Sequence, residues 1–434
     1  MVQLLGIAAV GQEVGNRTMR VALVSDSYAP QVNGVAISVR LLARSLAEAG
    51  HSVAVYTVYS RSSAGDGEPD AYPVVRRPAV PLPLNDAFCV AAPLDRAALR
   101  FVERFQPDVM HCHSPFGVGW QGLRAGLACG IPILGTHHTL FAQYVECYSP
   151  FGRWTNRRVA AMLRRYVAAF YNRCDLVTCA SRFLALDVMR GGMARPITVI
   201  PNAVDTQRFS RQPRHVRDGD AQRIVFCGRL APEKNLFGLL DLLEPALRGQ
   251  HALSLRIVGD GPLRAALEHE IVRRGLAGKI TLTGWLHGEE LAAEIANADL
   301  SVSASITENQ SLALLESLAA GVPVVALAAA GAPEVVRHGV NGYLLDPGAA
   351  ASTFAQTVES LLAAPDQRAE MGRQARLFAE QHALEAHRTR VVDAYAETIA
   401  RAQWRLQQKS PIPGEGRGTN GLRLRVRRSL PRRY

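Results

Sequence analysis

Short apolar, β-branched runs alternate with stretches whose apolar residues recur every three to four positions, from near residue 20 to near residue 330. That alternation predicts strand–helix units feeding parallel sheets, an α/β class. In the first half the candidate strands are Arg20 to Ser25, Ser52 to Thr57, Asp108 to Cys112, Ile131 to Thr136, Asp175 to Cys179 and Ile197 to Ile200. A polar, charged stretch, Ser210 to Gln222, precedes a second series: Arg223 to Cys227, Ser254 to Val258, Lys279 to Thr283, Leu300 to Ala304 and Pro323 to Leu327. The same kind of domain is written twice, without a short repeat. From about Ala350 strand patterns stop and helical ones run to about Gln408. The last helix either crosses back onto the first half or lengthens the second.

A chain of 434 residues, 48% of them apolar, exceeds one ordinary core and predicts two domains with a cleft between them. The expected divisions are an N-terminal extension at 1–18, a first domain at 19–205, a second at 206–385, a returning helix at 386–408 and a tail at 409–434. Because the first strand pattern begins at Met19, that residue is a candidate start. No run reaches the roughly 18 to 20 apolar residues of a spanning helix, and Leu4 to Val10 lacks a preceding basic flank. Seven scattered cysteines without a Cys-x-x-Cys pair predict a reducing cytoplasm. The net charge of +11 is uneven, since 409–434 holds one Lys and seven Arg against Glu415 alone. Such a tail attracts polyanions, either nucleic acid or an anionic membrane face.

The candidate chemistry lies where strands end. Gly34 follows the first strand at a helix start, where a backbone approaches a phosphate or simply turns. It is not part of a Gly-x-Gly-x-x-Gly motif, which disfavours a nicotinamide cofactor. Arg229 and Lys234 follow the Arg223 to Cys227 strand; two cations there repel each other and the helix dipole unless an anion, most naturally a diphosphate, joins them. Val258-Gly259-Asp260-Gly261-Pro262 reads as a turn, and Trp285 as either a wall for a nucleobase or packing. Around Asn309, Gln310 and Ser311 a loop meets a helix whose first amides can hold a phosphate. Glu316, on an otherwise apolar helix, needs hydroxyls such as those of a ribose, or else solvent. Glu308, before that helix, is placed to face a sugar. His111-Cys112-His113 and His137-His138 end two further strands. Without a completing Cys or carboxylate they suit hydroxyl binding or acid–base work better than zinc, and no metal is expected.

In this order, Pro-Gln-x-Asn-Gly-Val, His-x-His-x-Pro-Phe, His138-Thr139, Gly-Arg-Leu with Lys234, Val-Gly-Asp-Gly-Pro and the Glu-x7-Glu pair resemble glycosyltransferase family 4. The resemblance spans about residues 19 to 400 and implies the GT-B fold, two Rossmann-like domains with parallel sheets facing a central cleft. It implies a retaining hexosyltransferase in which Gly34, Arg229, Lys234, Asn309, Gln310 and Ser311 bind the donor and Glu316 its ribose. Glu308 and His113 then act at the transferred sugar, and His138 faces the acceptor. Family members commonly carry Gly where Ser311 stands, which puts the approach of that backbone to the phosphate in question. Glu308-Asn309-Gln310 is similar to the Glu-Thr-Gln of diacylglycerol glucosyltransferases, implying UDP-glucose as co-substrate and a lipid acceptor. GDP-mannose with phosphatidylinositol, another glycan or a soluble acceptor is the alternative, and a sugar-nucleotide epimerase is the reading from another class. From Phe151 to Cys174 six Arg and no acid interleave with Trp154, Val159, Met162, Leu163, Tyr166, Val167 and Phe170. This helix either lies on an anionic bilayer or packs as an ordinary surface helix. Peripheral attachment at the cytoplasmic membrane face is the expectation, and nucleic acid is not an expected partner, since RNA- and DNA-module motifs are absent.

Overall fold

The computed structural model describes residues 17–409 except 32, 60–69, 83–84, 93–94, 142, 144–152, 211–220 and 250–251. The strands are β1 (Arg20–Val24), β2 (Ser52–Val58), β3 (Val74–Arg77), β4 (Val80–Leu82), β5 (Asn85–Val90), β6 (Val109–Cys112), β7 (Ile133–His137), β8 (Leu176–Cys179) and β9 (Ile197–Val199). In the second half follow β10 (Gln222–Cys227), β11 (Leu253–Val258), β12 (Ile280–Gly284), β13 (Leu300–Ser303), β14 (Val324–Leu327) and β15 (Gly342–Leu345). Two wholly parallel sheets result, ordered β3-β2-β1-β6-β7-β8-β9 and β12-β11-β10-β13-β14-β15, with β4 and β5 forming a separate antiparallel pair. Each half is thus a Rossmann-like domain, and together they make the GT-B architecture.

The strands are apolar on both sides because both faces of each sheet are covered. In β1, Val21 and Leu23 enter one core while Ala22 and Val24 enter the other. Ile224 and Phe226 of β10 likewise face away from Val225. The helix Gly34–Glu48 buries Ala36, Val39, Leu42, Ala43 and Leu46, a spacing of three to four residues that lays one stripe on β1.

The helix Leu384–Lys409 crosses back to the first half. Its Val391, Ala394 and Tyr395 join the core of Val21 and Leu23, and Arg405 pairs with Asp175 at 3.1 Å. Periodicity alone left this choice open; the apolar face of the helix matches the first sheet.

Four strands escape the sequence pattern. The edge strands β3 and β15 have four residues each, too few to display alternation, and β3 ends in two arginines. The pair β4 and β5 surrounds residues outside the described set. Most of the N-terminal extension, residues 144–152, 211–220 and the tail from 410 also lie outside it.

Candidate active site

In an open parallel sheet a crevice opens where neighbouring strands send their connections in opposite directions. Here those points lie between β1 and β6 and between β10 and β13. The loops after β1, β7, β10 and β13 meet around one cavity of about 280 Å³, lined by Gly34, His138, Arg229, Lys234, Glu308, Asn309, Gln310, Ser311 and Glu316 among others.

Two helix N-termini border it. The helix Gly34–Glu48 is capped by Asn33, whose Oδ1 accepts from Ala36 N at 2.9 Å. The helix Leu312–Ala319 is capped by Ser311, whose Oγ accepts from Leu314 N at 3.5 Å. A Cβ on Gly34 would stand 4.0 Å from Leu312 Cδ1, an ordinary contact, which places the two helix starts close together. Ser311 has φ −71°, a conformation open to any residue, so its backbone itself requires no glycine. Two positive dipole ends facing one cavity favour an anion between them.

The cations stand at the same place. Arg229 lies 3.7 Å from Glu233, and Lys234 Nζ is in contact with the Glu308 carboxylate. Burial lowers the Lys234 pKa to about 8, with Arg229 acting in the same direction and Glu233 opposing. The Gly-Asp-Gly-Pro turn braces the Arg229 loop, because Gly228 N donates to Val258 O and Leu230 N to Asp260 O, both at 2.9 Å. Gly259 has φ +138°, and a Cβ there would stand 1.9 Å from Gly228 O, so only glycine permits this stacking.

Glu316 lines the cavity wall without a hydrogen-bond partner among the described residues. Burial raises its pKa to about 7, against the opposing field of Arg208. Trp285, Leu286 and His287 complete that end.

The Glu308–Gln310 loop does more than line the cavity. Asn309 Nδ2 donates to His138 O at 3.2 Å, and its Oδ1 meets the Ser181 hydroxyl. Asn202 donates to Gln310 from its backbone at 2.5 Å and from its side chain at 3.2 Å. Both side chains reach the first domain.

The histidines form a buried cluster. His138 lines the cavity, and His113 stands behind it, with His113 Nδ1 and His138 Nε2 2.9 Å apart. His111 lies against His113, ring centroids 3.9 Å apart and tilted by 35°, and is held by Tyr395 at 2.9 Å and Thr136 at 2.5 Å. Burial pushes His138 to about 4 and His113 well below its usual range, with neighbouring histidines adding to both. Both are neutral near pH 7, able to donate or accept a hydrogen bond but carrying no charge.

The family model described as Glycosyltransferase Family 4 matches residues 32–208, and that described as Glycosyl transferases group 1 matches 207–378. A GDP-mannose-dependent alpha-mannosyltransferase of Corynebacterium glutamicum is 31% identical over 396 residues, 89% of this chain and 91% of the relative. The chain belongs to glycosyltransferase family 4. An alpha-monoglucosyldiacylglycerol synthase of Streptococcus pneumoniae, 28% identical, matches over 71% of each chain. Among solved structures, the Anabaena HepE complex with UDP superposes with a TM-score of 0.66 at 20% identity, over 87% of this chain and 99% of that one. This family 4 chain is therefore a hexosyltransferase with the GT-B fold.

Of the site residues named from the sequence, Gly34, His138, Arg229, Lys234, Glu308, Asn309, Gln310, Ser311 and Glu316 line this family 4 cavity, and His113 does not. His113 reaches it through His138 rather than directly. Ser181, Asn202 and Glu334 join the same loops but carried no sequence signal, because their partners lie more than 100 residues away.

Proposed function

We propose that this enzyme transfers glucose from UDP-glucose, with retention, to a membrane lipid acceptor of diacylglycerol type. The observation that carries the donor half is one cavity lined by two helix N-termini together with Arg229 and Lys234, a cradle whose charge matches a diphosphate. Glu316 holds the ribose, Glu308 the transferred sugar, and His138, oriented by His113, the sugar and incoming acceptor. No side chain here is required as a nucleophile: the leaving phosphate takes the acceptor's proton while the protein positions the reactants and stabilises charge. No metal or cofactor is invoked, the nucleotide sugar being a co-substrate.

Support for a lipid comes from the helix Arg153–Tyr171. Its Val167, Ala168, Phe170 and Tyr171 pack inward, whereas Val159, Met162 and Tyr166 are exposed beside Arg157, Arg158 and Arg165. One face therefore packs on the domain and another offers an apolar stripe edged with cations, suited to an anionic bilayer. Tyr166 connects that face to the acceptor side, donating to Pro115 O at 2.8 Å and stacking on Phe116, which meets Phe141 edge to face. The synthase from Streptococcus pneumoniae favours the same reading. The second reading, GDP-mannose as donor, is favoured by three mannosyltransferases, each 31% identical.

Incubation with labelled UDP-glucose or GDP-mannose and vesicles containing diacylglycerol and anionic lipid separates these readings. Label is expected in the organic phase with UDP-glucose. Organic-phase label from GDP-mannose alone selects the second donor, and none from either sinks the lipid acceptor. Met162→Glu is expected to weaken vesicle binding about tenfold, the order expected for losing one buried apolar side chain, with UDP-glucose hydrolysis unchanged. Vesicle sedimentation beside a hydrolysis assay checks this.

A further inference from the structure

The helix Arg182–Arg190 belongs to the first domain, yet its N-terminus is completed by the second. Ser181 supplies an ordinary cap, its Oγ accepting from Leu184 N at 3.0 Å. The preceding amides have no partner within the helix. Arg182 N donates to Glu334 Oε2 and Phe183 N to Glu334 Oε1, each at 2.9 Å.

Glu334 ends the short 3-10 turn Ala332–Glu334, which is joined tightly to the donor loop. Gly331 N donates to Glu308 O at 2.9 Å. A Cβ on Gly331 would stand 1.1 Å from Asn309 O, so the two segments touch backbone to backbone. Asn309 in turn contacts Ser181 and the carbonyl of His138. One carboxylate thus ties the first domain to the loop carrying Glu308.

We propose that Glu334 is a positioning residue for glycosyl transfer: it caps the Arg182–Arg190 helix across the domain boundary and holds the Glu308–Asn309 loop opposite His138. A carboxylate suits this place because it accepts from both amides and carries the sign the helix dipole favours. When the domains part, water takes its place at the amides. The closed register is therefore the arrangement in which this helix is capped by protein. Arg229 and Lys234 lie in the second domain alone, so loss of Glu334 leaves their grip on the nucleotide intact. Alignment of sugar with acceptor is what fails.

This inference rests on glycosyl transfer, not on a lipid acceptor. Glu334→Gln replaces one accepting oxygen with an amide that cannot accept. It is expected to lower kcat about tenfold, the order associated with losing a charge-assisted hydrogen bond, while KM for the donor and Kd for UDP and GDP stay within about twofold. Arg182→Pro tests the same contact from the other side. Proline suits a first helical position, and Ser181, with φ −145° and ψ 158°, has the backbone that precedes proline. Arg182→Pro should reproduce the fall in kcat, and Arg182→Ala, which keeps the amide, should not.

Spin labels at the exposed positions Leu127 and Val272 report the interdomain distance with UDP or GDP as probe. Wild type is expected to give one narrow distance and Glu334→Gln a broader distribution. This arm needs no acceptor, so it stands if the lipid reading fails. Unchanged kcat and distances in Glu334→Gln, a matching loss of nucleotide affinity, or equal losses in Arg182→Ala and Arg182→Pro would each overturn the proposal.

Discussion

Lys234→Ala is expected to lower kcat/KM for the nucleotide sugar about a thousandfold, ~4 kcal/mol of transition-state stabilisation. Negative charge grows on the diphosphate as the glycosidic bond breaks, so a cation in this partly enclosed cavity contributes more in the transition state than in the ground state. In the nucleotide-free protein Lys234 is paired with Glu308. Its removal therefore has two effects: the phosphate loses a cation, and the Glu308 carboxylate is left facing the phosphate unneutralised. Arg229 remains, but its guanidinium is already beside Glu233. Lys234→Ala with Glu308→Gln should lose less than the product of the two single losses, because the neutral glutamine ends the repulsion. Lys234→Arg should restore little, since a planar guanidinium does not replace a compact ammonium in an enclosed position. Steady-state kinetics of wild type and the four variants decide the matter, and a loss below tenfold for Lys234→Ala overturns it. Thermal midpoints give an independent check: UDP or GDP should stabilise wild type and scarcely affect Lys234→Ala.

The difference between what was legible in the chain and what was not follows from the range of the interactions. Strands such as Arg20–Val24 and Gln222–Cys227 stand out because burial on both sides imposes continuous apolar runs. Gly34, Arg229 and Lys234 were visible because strand ends are the places where a parallel sheet exposes loops to a ligand, and Glu316 because a carboxylate stands out on an otherwise apolar helix. The short edge strands Val74–Arg77 and Gly342–Leu345 are held by one neighbour each, and their residues say little by themselves. Asn309 and Gln310 show the sharper limit. Their place where a loop meets a helix pointed to donor binding through backbone amides; that their side chains also engage Ser181, His138 and Asn202 in the other domain is invisible in that local pattern. His113 is similar: its motif located it at a strand end, but only the packing of β6 against β7 puts His138 between it and the cavity. Local pattern locates a site, and the contacts between domains decide which side chains face its ligand.

Glu316→Gln is expected to reduce kcat/KM about a hundredfold, through KM more than kcat, because the ribose is held in both ground and transition states. Its pH dependence is the more exacting test. The free enzyme's Glu316 titrates at about 7 and Lys234 at about 8. Wild-type kcat/KM should rise through the first value as the carboxylate ionises and becomes a full acceptor for the ribose hydroxyls. It should fall through the second as the ammonium is lost, giving a narrow bell. Glutamine removes the acid limb and leaves the alkaline one. Stability changes in the opposite sense. A carboxyl raised on folding contributes its stability fully below its unfolded value of about 4.5, and loses it as pH rises through about 7. Glu316→Gln should therefore stabilise the nucleotide-free protein at pH 8 by roughly 1 to 3 kcal/mol, discounted for partial exposure, and by little near pH 5. Denaturant unfolding at the two values, beside the kinetic profile, measures both sides. A retained acid limb in Glu316→Gln, or equal stability changes at pH 5 and pH 8, would remove Glu316 from the ribose site. The expected combination, a weaker enzyme that folds more firmly, follows from keeping an unpaired carboxylate in the cavity wall for hydroxyls that arrive only with the donor.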